Sequence, residues 1–71
     1  MDRHQFKAWR DHMDLSQQGA ADALGISKGS VELYELGHRR DDKRSVVIPK
    51  HIALACAAIA LGIKDYAGPS S

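Results

Sequence analysis

The fold is decided by residues 16–37, SQQGAADALGISKGSVELYELG, which are typical of two short helices joined by a tight turn. Ser16 and Ser27 each precede a helix and are suited to cap it, since a serine hydroxyl can accept from an unpaired N–H of the first turn. Gly25 and Gly37 stand where the helices must stop, because glycine readily takes the left-handed conformation found at helix ends. The stretch predicts helices over residues 17–24 and 28–36.

Apolar side chains within this stretch recur at spacings that face the two helices toward each other. Ala21 is the most constrained of them, because two helices that cross steeply over a short turn leave room only for a small side chain. The positions predicted to face inward are Ala20, Ala21, Leu24, Ile26, Val31 and Tyr34.

Length and composition place the chain in a narrow class. Its 71 residues predict one small domain with a modest core, for which self-association is a common way to add burial. No apolar run is long enough to span a bilayer, and residues 1–4 lack the blocks of a signal peptide. The single cysteine, Cys56, cannot form an internal disulfide, so a reduced, cytoplasmic protein is expected.

The net charge of +1 gives only weak support for a nucleic-acid partner, but the charges are unevenly distributed. Residues 28–50 carry six basic and four acidic side chains, whereas residues 1–27 carry three basic and four acidic ones. Local potential near a binding face governs contact with phosphates more than the total does. The second helix of the pair and the loop after it are therefore the more basic region.

The remaining chain predicts two further helices. Phe6, Trp9 and Met13 form an apolar stripe on a first helix over residues 3–13, and the two aromatic side chains are expected at the centre of the core. Pro49 suits the first position of a last helix over residues 49–61. A charged loop over residues 38–44, a domain over residues 1–63 and a flexible tail over residues 64–71 complete the prediction.

The short β-branched segment Ser45–Ile48 admits two interpretations. It is either an extended stretch that covers the core or an edge that pairs with a copy of itself in a dimer. The first is favoured, because so short an isolated strand is rarely stable alone.

The last helix is apolar on every side, which is typical of a helix that is covered all round. The chain has few other elements to cover both faces, so a homodimer is expected. The alternative is that alanine merely supports helix formation and that the outer face is exposed. The side chains predicted at the dimer interface are Ile52, Ala55, Cys56 and Ile59.

The chain from Phe6 to Ile63 resembles the Cro/CI-type (Xre family) helix-turn-helix proteins. The residues that carry the resemblance are Leu15, Ser16, Gln17, Ala21, Leu24, Gly25, Ile26, Ser27, Val31, Tyr34, Glu35, Gly37, Ile48, Pro49, Leu54 and Ala55. The resemblance implies a lambda-repressor-like, all-α bundle of four to five helices. It further implies a dimer on palindromic double-stranded operator DNA, with the second helix of the pair in the major groove. In this chain the loop after Gly37 is longer than the family pattern, and one long helix is predicted in place of the usual two C-terminal helices.

The resemblance also implies roles for individual residues. Gln17 is similar to a family glutamine that donates to a phosphate, and Arg10 with Glu35 is similar to a structural ion pair of the family. Lys28 could donate to guanine, Leu33 could contact a thymine methyl group and Glu32 could accept from a cytosine amine. The predicted DNA-binding residues are Gln17, Ser27, Lys28, Gly29, Ser30, Glu32, Leu33, His38, Arg39, Arg40, Lys43 and Arg44.

No pattern in the chain predicts catalysis, a cofactor or a metal site. Its four histidines are scattered, and Cys56 stands alone in an apolar helix. The predicted function is a sequence-specific transcriptional regulator, in particular a repressor that occupies a promoter. The alternative is an antitoxin-like or adaptor protein whose main role is to bind a protein partner through the apolar last helix.

Overall fold

The computed structural model describes residues 1–38 and 45–69, which form a bundle of four α-helices. These are α1 (Arg3–His12), α2 (Gln17–Leu24), α3 (Lys28–Leu36) and α4 (Lys50–Ala60). The predicted all-α class is confirmed, and each predicted helix differs from the observed one by at most one residue at either end. Most of the predicted charged loop, residues 39–44, lies outside the described residues.

Serine caps begin both helices of the central pair, as predicted. The Ser16 hydroxyl accepts from the Gly19 N–H at 2.9 Å, and the Ser27 hydroxyl accepts from the Ser30 N–H at 3.1 Å. Each satisfies a donor that the helix itself leaves without a partner. At the other ends of these helices, Gly25 and Gly37 have φ angles of 70° and 84°, so the chain leaves each helix through the predicted left-handed glycine.

Helices α1 and α4 begin differently from the central pair. Asp2 caps α1 through a reciprocal pair of bonds, in which its carboxylate accepts from the Gln5 N–H and the Gln5 side chain accepts from the Asp2 N–H. Pro49 has an extended ψ of 151° and is the residue before α4, so the helix begins at Lys50 instead. Asp14 ends the turn after α1 with a positive φ of 56°.

The core lies where the first three helices meet α4. Phe6 is fully buried, and its ring centroid lies 5.5 Å from that of Trp9 and 5.6 Å from that of Tyr34. Edge and tilted ring contacts of this kind add to the stabilisation from apolar burial. The buried residues are Phe6, Trp9, Ala20, Ala21, Val31, Ile48, Ile52 and Cys56, with Met13, Leu15, Leu24, Ile26, Tyr34 and Ile59 packed against them.

The segment before α4 is an extended stretch that covers the core, which agrees with the first of the two interpretations. Ile48 is buried, and the Val46 N–H donates to the Gly37 carbonyl at 3.1 Å. His38 and Ser45 form an isolated antiparallel bridge. Val47, by contrast, is 80% exposed.

Helix α4 requires a correction to the predicted dimer interface. Ile52 and Cys56 are buried in the core of the protomer, so their side chains cannot also contact a second copy. Ala55 and Ile59 are half-buried, and Ile59 packs against the same core. The water-exposed face of α4 instead carries Leu54 and Leu61.

Within the described part of the chain, no helix combines the length and apolar character needed to cross a membrane.

Candidate nucleic-acid interface

An ion pair between α1 and α3 fixes the position of the predicted DNA-reading helix. The Arg10 Nε donates to Glu35 Oε2 at 2.6 Å, and Nη2 donates to Oε1 at 3.0 Å, which makes the contact bidentate. Both side chains are largely buried, with exposed fractions of 14% and 9%. The pair predicted as structural is therefore present, and it takes Arg10 and Glu35 away from the surface.

Neighbouring groups complete this pair. Arg10 Nη1 donates to the Leu15 carbonyl at 2.9 Å, so the guanidinium also holds the turn between α1 and α2. The hydrogen bond from the Arg10 side chain to Glu35 raises the pKa of Arg10 above its ordinary value. The guanidinium therefore stays charged at physiological pH.

Gln17 is linked to the same carboxylate. Its Nε2 donates to Glu35 Oε1 at 3.4 Å, a long hydrogen bond from the first residue of α2. An amide nitrogen carries two N–H groups, so one contact to Glu35 leaves a second donor for an acceptor such as a phosphate oxygen. The predicted phosphate contact is compatible with this position, and Glu35 orients the side chain that would make it.

The end of α3 is packed against α1. A Cβ placed on Gly37 would lie 2.6 Å from Cδ of Arg3, so the Arg3 side chain crosses directly over the glycine. Arg3 and His38 line the same open depression at this end of α3. Sequence reasoning missed Arg3, because only the contact with Gly37, 34 residues away, brings this cation to the helix end.

The first turn of α3 is open to solvent. Ser27, Lys28 and Gly29 are all exposed, and Ser30 is half-buried. A Cβ added at Gly29 would meet only the Ser27 hydroxyl, at an ordinary distance of 3.8 Å. Nothing in the fold therefore requires a glycine at this position.

The two serines of this turn share a hydrogen bond. The hydroxyl oxygens of Ser27 and Ser30 lie 3.0 Å apart, and either one can donate. Only one of the two protons is used in that contact, so the other hydroxyl proton can go to an outside acceptor. The structure thus places both predicted serines in one small polar group at the start of α3.

Lys28 and Glu32 lie one turn apart on α3. The Lys28 Nζ is 4.0 Å from a Glu32 carboxylate oxygen, and the two side chains are 52% and 37% exposed. So exposed a pair contributes little to stability, and it is easily exchanged for other partners. The ammonium group can therefore turn toward an anion at small cost.

Leu33, which is predicted to contact a thymine methyl group, is only partly exposed. It is half-buried and lines a shallow cleft with Ser30, Tyr34 and the extended stretch from Ser45 to Val47. An apolar contact by Leu33 would consequently be made from inside this cleft. The exposed Val47 lines the same cleft and therefore belongs to the candidate interface, although the sequence did not indicate it.

The remaining predicted DNA-binding residues follow α3. His38 is exposed just after the end of α3, at the opposite end of the helix from Lys28 and Gly29. The predicted contacts Arg39, Arg40, Lys43 and Arg44 lie outside the described residues.

Comparisons of the chain with protein-family models, with curated proteins and with solved structures return no match. Over residues 1–38 and 45–69, no group of three or more His, Cys, Asp and Glu side chains is placed to hold a metal ion. The candidate site is therefore defined by its own geometry: the exposed first turn of α3, with Gln17 on one side and the ion pair behind it.

Proposed function

We propose that this protein is a sequence-specific, double-stranded-DNA-binding regulator of the Cro/CI helix-turn-helix type. In this proposal α2 and α3 form the helix-turn-helix, and the first turn of α3 enters the major groove. The protein binds a palindromic operator as a cytoplasmic homodimer and represses transcription by excluding the polymerase.

Gly29 is the observation that carries the proposal. Glycine in a helix interior destabilises a protein by about 1 kcal/mol relative to alanine, and Gly29, the second residue of α3, carries part of this cost. A domain of 71 residues is only marginally stable, so such a cost matters. Packing does not explain the presence of Gly29, since the nearest atom to an added Cβ is 3.8 Å away. A partner that approaches the helix backbone at this point does explain it, and the wall of a DNA groove is such a partner.

The groups around Gly29 are of the kinds that bind DNA phosphates and the edges of bases. Lys28 supplies a mobile cation, and Ser27 with Ser30 supplies a hydroxyl donor. Gln17 is held by Glu35 beside the helix start, where a phosphate would lie. These contacts combine positioning on the backbone with contacts to bases, which is how specific DNA binding is divided.

Selection from a randomised double-stranded DNA library tests the proposal. The wild-type protein should enrich one sequence with two-fold symmetry, and its affinity for that sequence should fall steeply as salt is raised, because counterions are released. Enrichment of no sequence by folded protein would overturn the proposal.

Variants of the first turn then locate the contact. Gly29→Leu keeps a good helix former but adds bulk, so it should weaken binding at least about tenfold without loss of stability. Lys28→Ala should weaken binding about tenfold, whereas Lys64→Ala, an exposed lysine after α4, should leave it unchanged. If Gly29→Leu and Lys28→Ala both bind like the wild type, α3 does not read the DNA.

A second candidate function is a protein-interaction module that acts through α4, and the exposed Leu54 and Leu61 favour it. It predicts that no DNA sequence is enriched. It also predicts that changes in the first turn of α3 have no effect on the activity of the protein. The library selection therefore separates the two candidates.

A further inference from the structure

Helix α4 has an apolar face that the protomer does not cover. Leu54 is 59% exposed and Leu61 is 78% exposed, although both are large aliphatic side chains. Ala57, between them, is also exposed. Spacings of three and four residues place the three side chains on one side of the helix, opposite the buried Ile52 and Cys56.

This stripe has the spacing of a helix-pairing seam. Leu54, Ala57 and Leu61 follow the alternating three- and four-residue intervals at which one helix packs along another. The small Ala57 side chain in the middle allows two helix axes to approach closely. Lys50 continues the same line toward the start of α4.

The stripe is also compatible with an antiparallel two-fold axis. Leu54 and Leu61 are equally far in sequence from a point between Ala57 and Ala58, so an axis there sets Leu54 of one copy against Leu61 of the other. The same axis brings the exposed Lys50 to the C-terminal end of the partner's α4, where the negative end of the helix dipole lies. A parallel pair would instead set Lys50 against itself.

We propose that the stripe Leu54–Ala57–Leu61 is the homodimer surface and that two copies of α4 pair antiparallel along it. The occupant is a second copy, because the sequence symmetry of the stripe and the placement of Lys50 match the stripe to itself. The inference gives the homodimer of the proposed function a surface. It uses no contact made by α3, so the two can fail separately.

The expected strength follows from the size of the surface. A single pair of short helices buries less than the roughly 1,200 Å² of a standard interface, so a weak dimer with a Kd near about 10 µM is expected without DNA. Binding to two adjacent half-sites would hold such a dimer together, because the second contact becomes intramolecular.

Analytical ultracentrifugation without DNA tests the pairing. The wild-type chain should sediment mainly as a dimer at about 100 µM and as a monomer at about 1 µM. Leu54→Glu and Leu61→Glu should each raise the dimer Kd at least about a hundredfold, because every substitution occurs twice in the interface. Helical circular dichroism should not change, since both side chains are exposed.

Val47→Glu is the matched control. Val47 is as exposed as Leu61 but lies on the extended stretch before α4, so this variant should dimerise like the wild type. Loss of the dimer in Val47→Glu, with retention in Leu54→Glu and Leu61→Glu, would assign the interface to the extended stretch and overturn the proposal. A wild-type monomer at about 100 µM would overturn it as well.

Orientation is tested by charge and by cross-linking. Lys50→Glu should weaken the dimer about tenfold, because it sets a carboxylate against the C-terminal end of the partner's α4, which a parallel pair does not predict. Ala57→Cys should form an intermolecular disulfide near the axis, whereas Leu54→Cys should not, because its copies would lie about 10 Å apart along the helices. Cross-linking of Leu54→Cys without Ala57→Cys would overturn the antiparallel register.

In the same series, binding to a single half-site separates the surface from the DNA contact. Leu54→Glu should bind an isolated half-site with wild-type affinity and lose only the added affinity for the full palindrome. If no DNA binds any variant while the dimer data are as expected, the proposed function fails and the dimer surface stands.

Discussion

The two ends of α3 differ in how many contacts they make with the rest of the molecule. At its open end, residues 27–30, side chains meet water and one another, and Gly29 has space around it. At its closed end, residues 34–37, Tyr34 packs on Phe6, Glu35 is paired with Arg10, and Arg3 lies over Gly37. One helix thus has an end that the fold leaves open and an end that the fold fixes.

This difference means that the residues needed for folding and those of the proposed DNA contact can be changed separately along a single helix. Substitutions at the closed end should act on the free energy of unfolding, because they remove internal contacts. Those at the open end should act on binding with little loss of stability. The expected changes in the free energy of unfolding are largest for substitutions at the closed end and smallest for those at the open end.

The largest effect is expected at the ion pair. Glu35→Ala leaves the buried Arg10 guanidinium without its carboxylate, which should lower the free energy of unfolding by about 3 kcal/mol in urea titrations. Asp11→Ala is the control, because it removes the exposed pair with Lys7 and leaves the Arg10–Glu35 pair in place, so it should cost less than about 0.5 kcal/mol. Equal losses in the two variants would mean that the ion pair at the closed end stabilises the fold no more than an exposed ion pair does.

The stability of the protein should fall at alkaline pH, because the core beneath the closed end contains a buried thiol. Cys56 lies next to Trp9 in the core, and burial raises the pKa of its thiol from 9.0 to about 11. The unfolded chain releases this proton first, so stability is full below pH 9 and should fall by about 2 kcal/mol as the pH rises from 9 to 11.

Urea titrations at pH 8, 9 and 10 would measure this dependence. Cys56→Ala should flatten it, since no thiol then remains to titrate. A slope unchanged by the substitution would assign the alkaline loss to other groups.

A smaller loss is expected at Gly37. Alanine at a φ of 84° is strained, so Gly37→Ala should cost about 1 kcal/mol. Arg3 Cδ must also move, but Arg3 is exposed and flexible and moves at little cost. Gly25→Ala has the same backbone strain with no neighbour within 4 Å, so the two losses should agree within about 0.5 kcal/mol.

The smallest effect has the opposite sign. Gly29→Ala should stabilise the protein by about 0.5–1 kcal/mol, because alanine orders more readily in a helix and meets no atom closer than 3.8 Å. Thermal and urea unfolding should both show the gain. A loss of stability would mean that the open end is constrained by the fold after all.

Much of the fold could be predicted because its signals are local. Ser16 and Ser27 stand one residue before their helices, and Gly25 and Gly37 follow the last turns, so each boundary is marked in the sequence. The capping box of Asp2 and Gln5 carries a similar local signal that sequence reasoning did not use. The stripe of Phe6, Trp9 and Met13 predicted from helical spacing is confirmed, since Phe6 and Trp9 are buried and Met13 packs against them.

The rest depends on contacts that local pattern does not encode. Because α4 is apolar on every side, its periodicity cannot tell which face packs on the core. The sequence therefore predicts Ile52 and Cys56 at a dimer interface, whereas the structure buries both and exposes Leu54 and Leu61. Arg3 reaches the end of α3 only because α1 folds across it. The open space around Gly29 could also be found only from the structure, because the sequence does not show which atoms surround a glycine.

The packing of Trp9 has a practical consequence for spectroscopy. It is the only tryptophan, it is 9% exposed, and its indole N–H donates to the Cys56 carbonyl at 3.0 Å. Its fluorescence therefore reports on one site that joins α1 to α4. Emission should shift to longer wavelength when the core opens, whereas events confined to the start of α3 should leave the spectrum unchanged. The chain thus carries its own optical probe of folding, one that needs no added label.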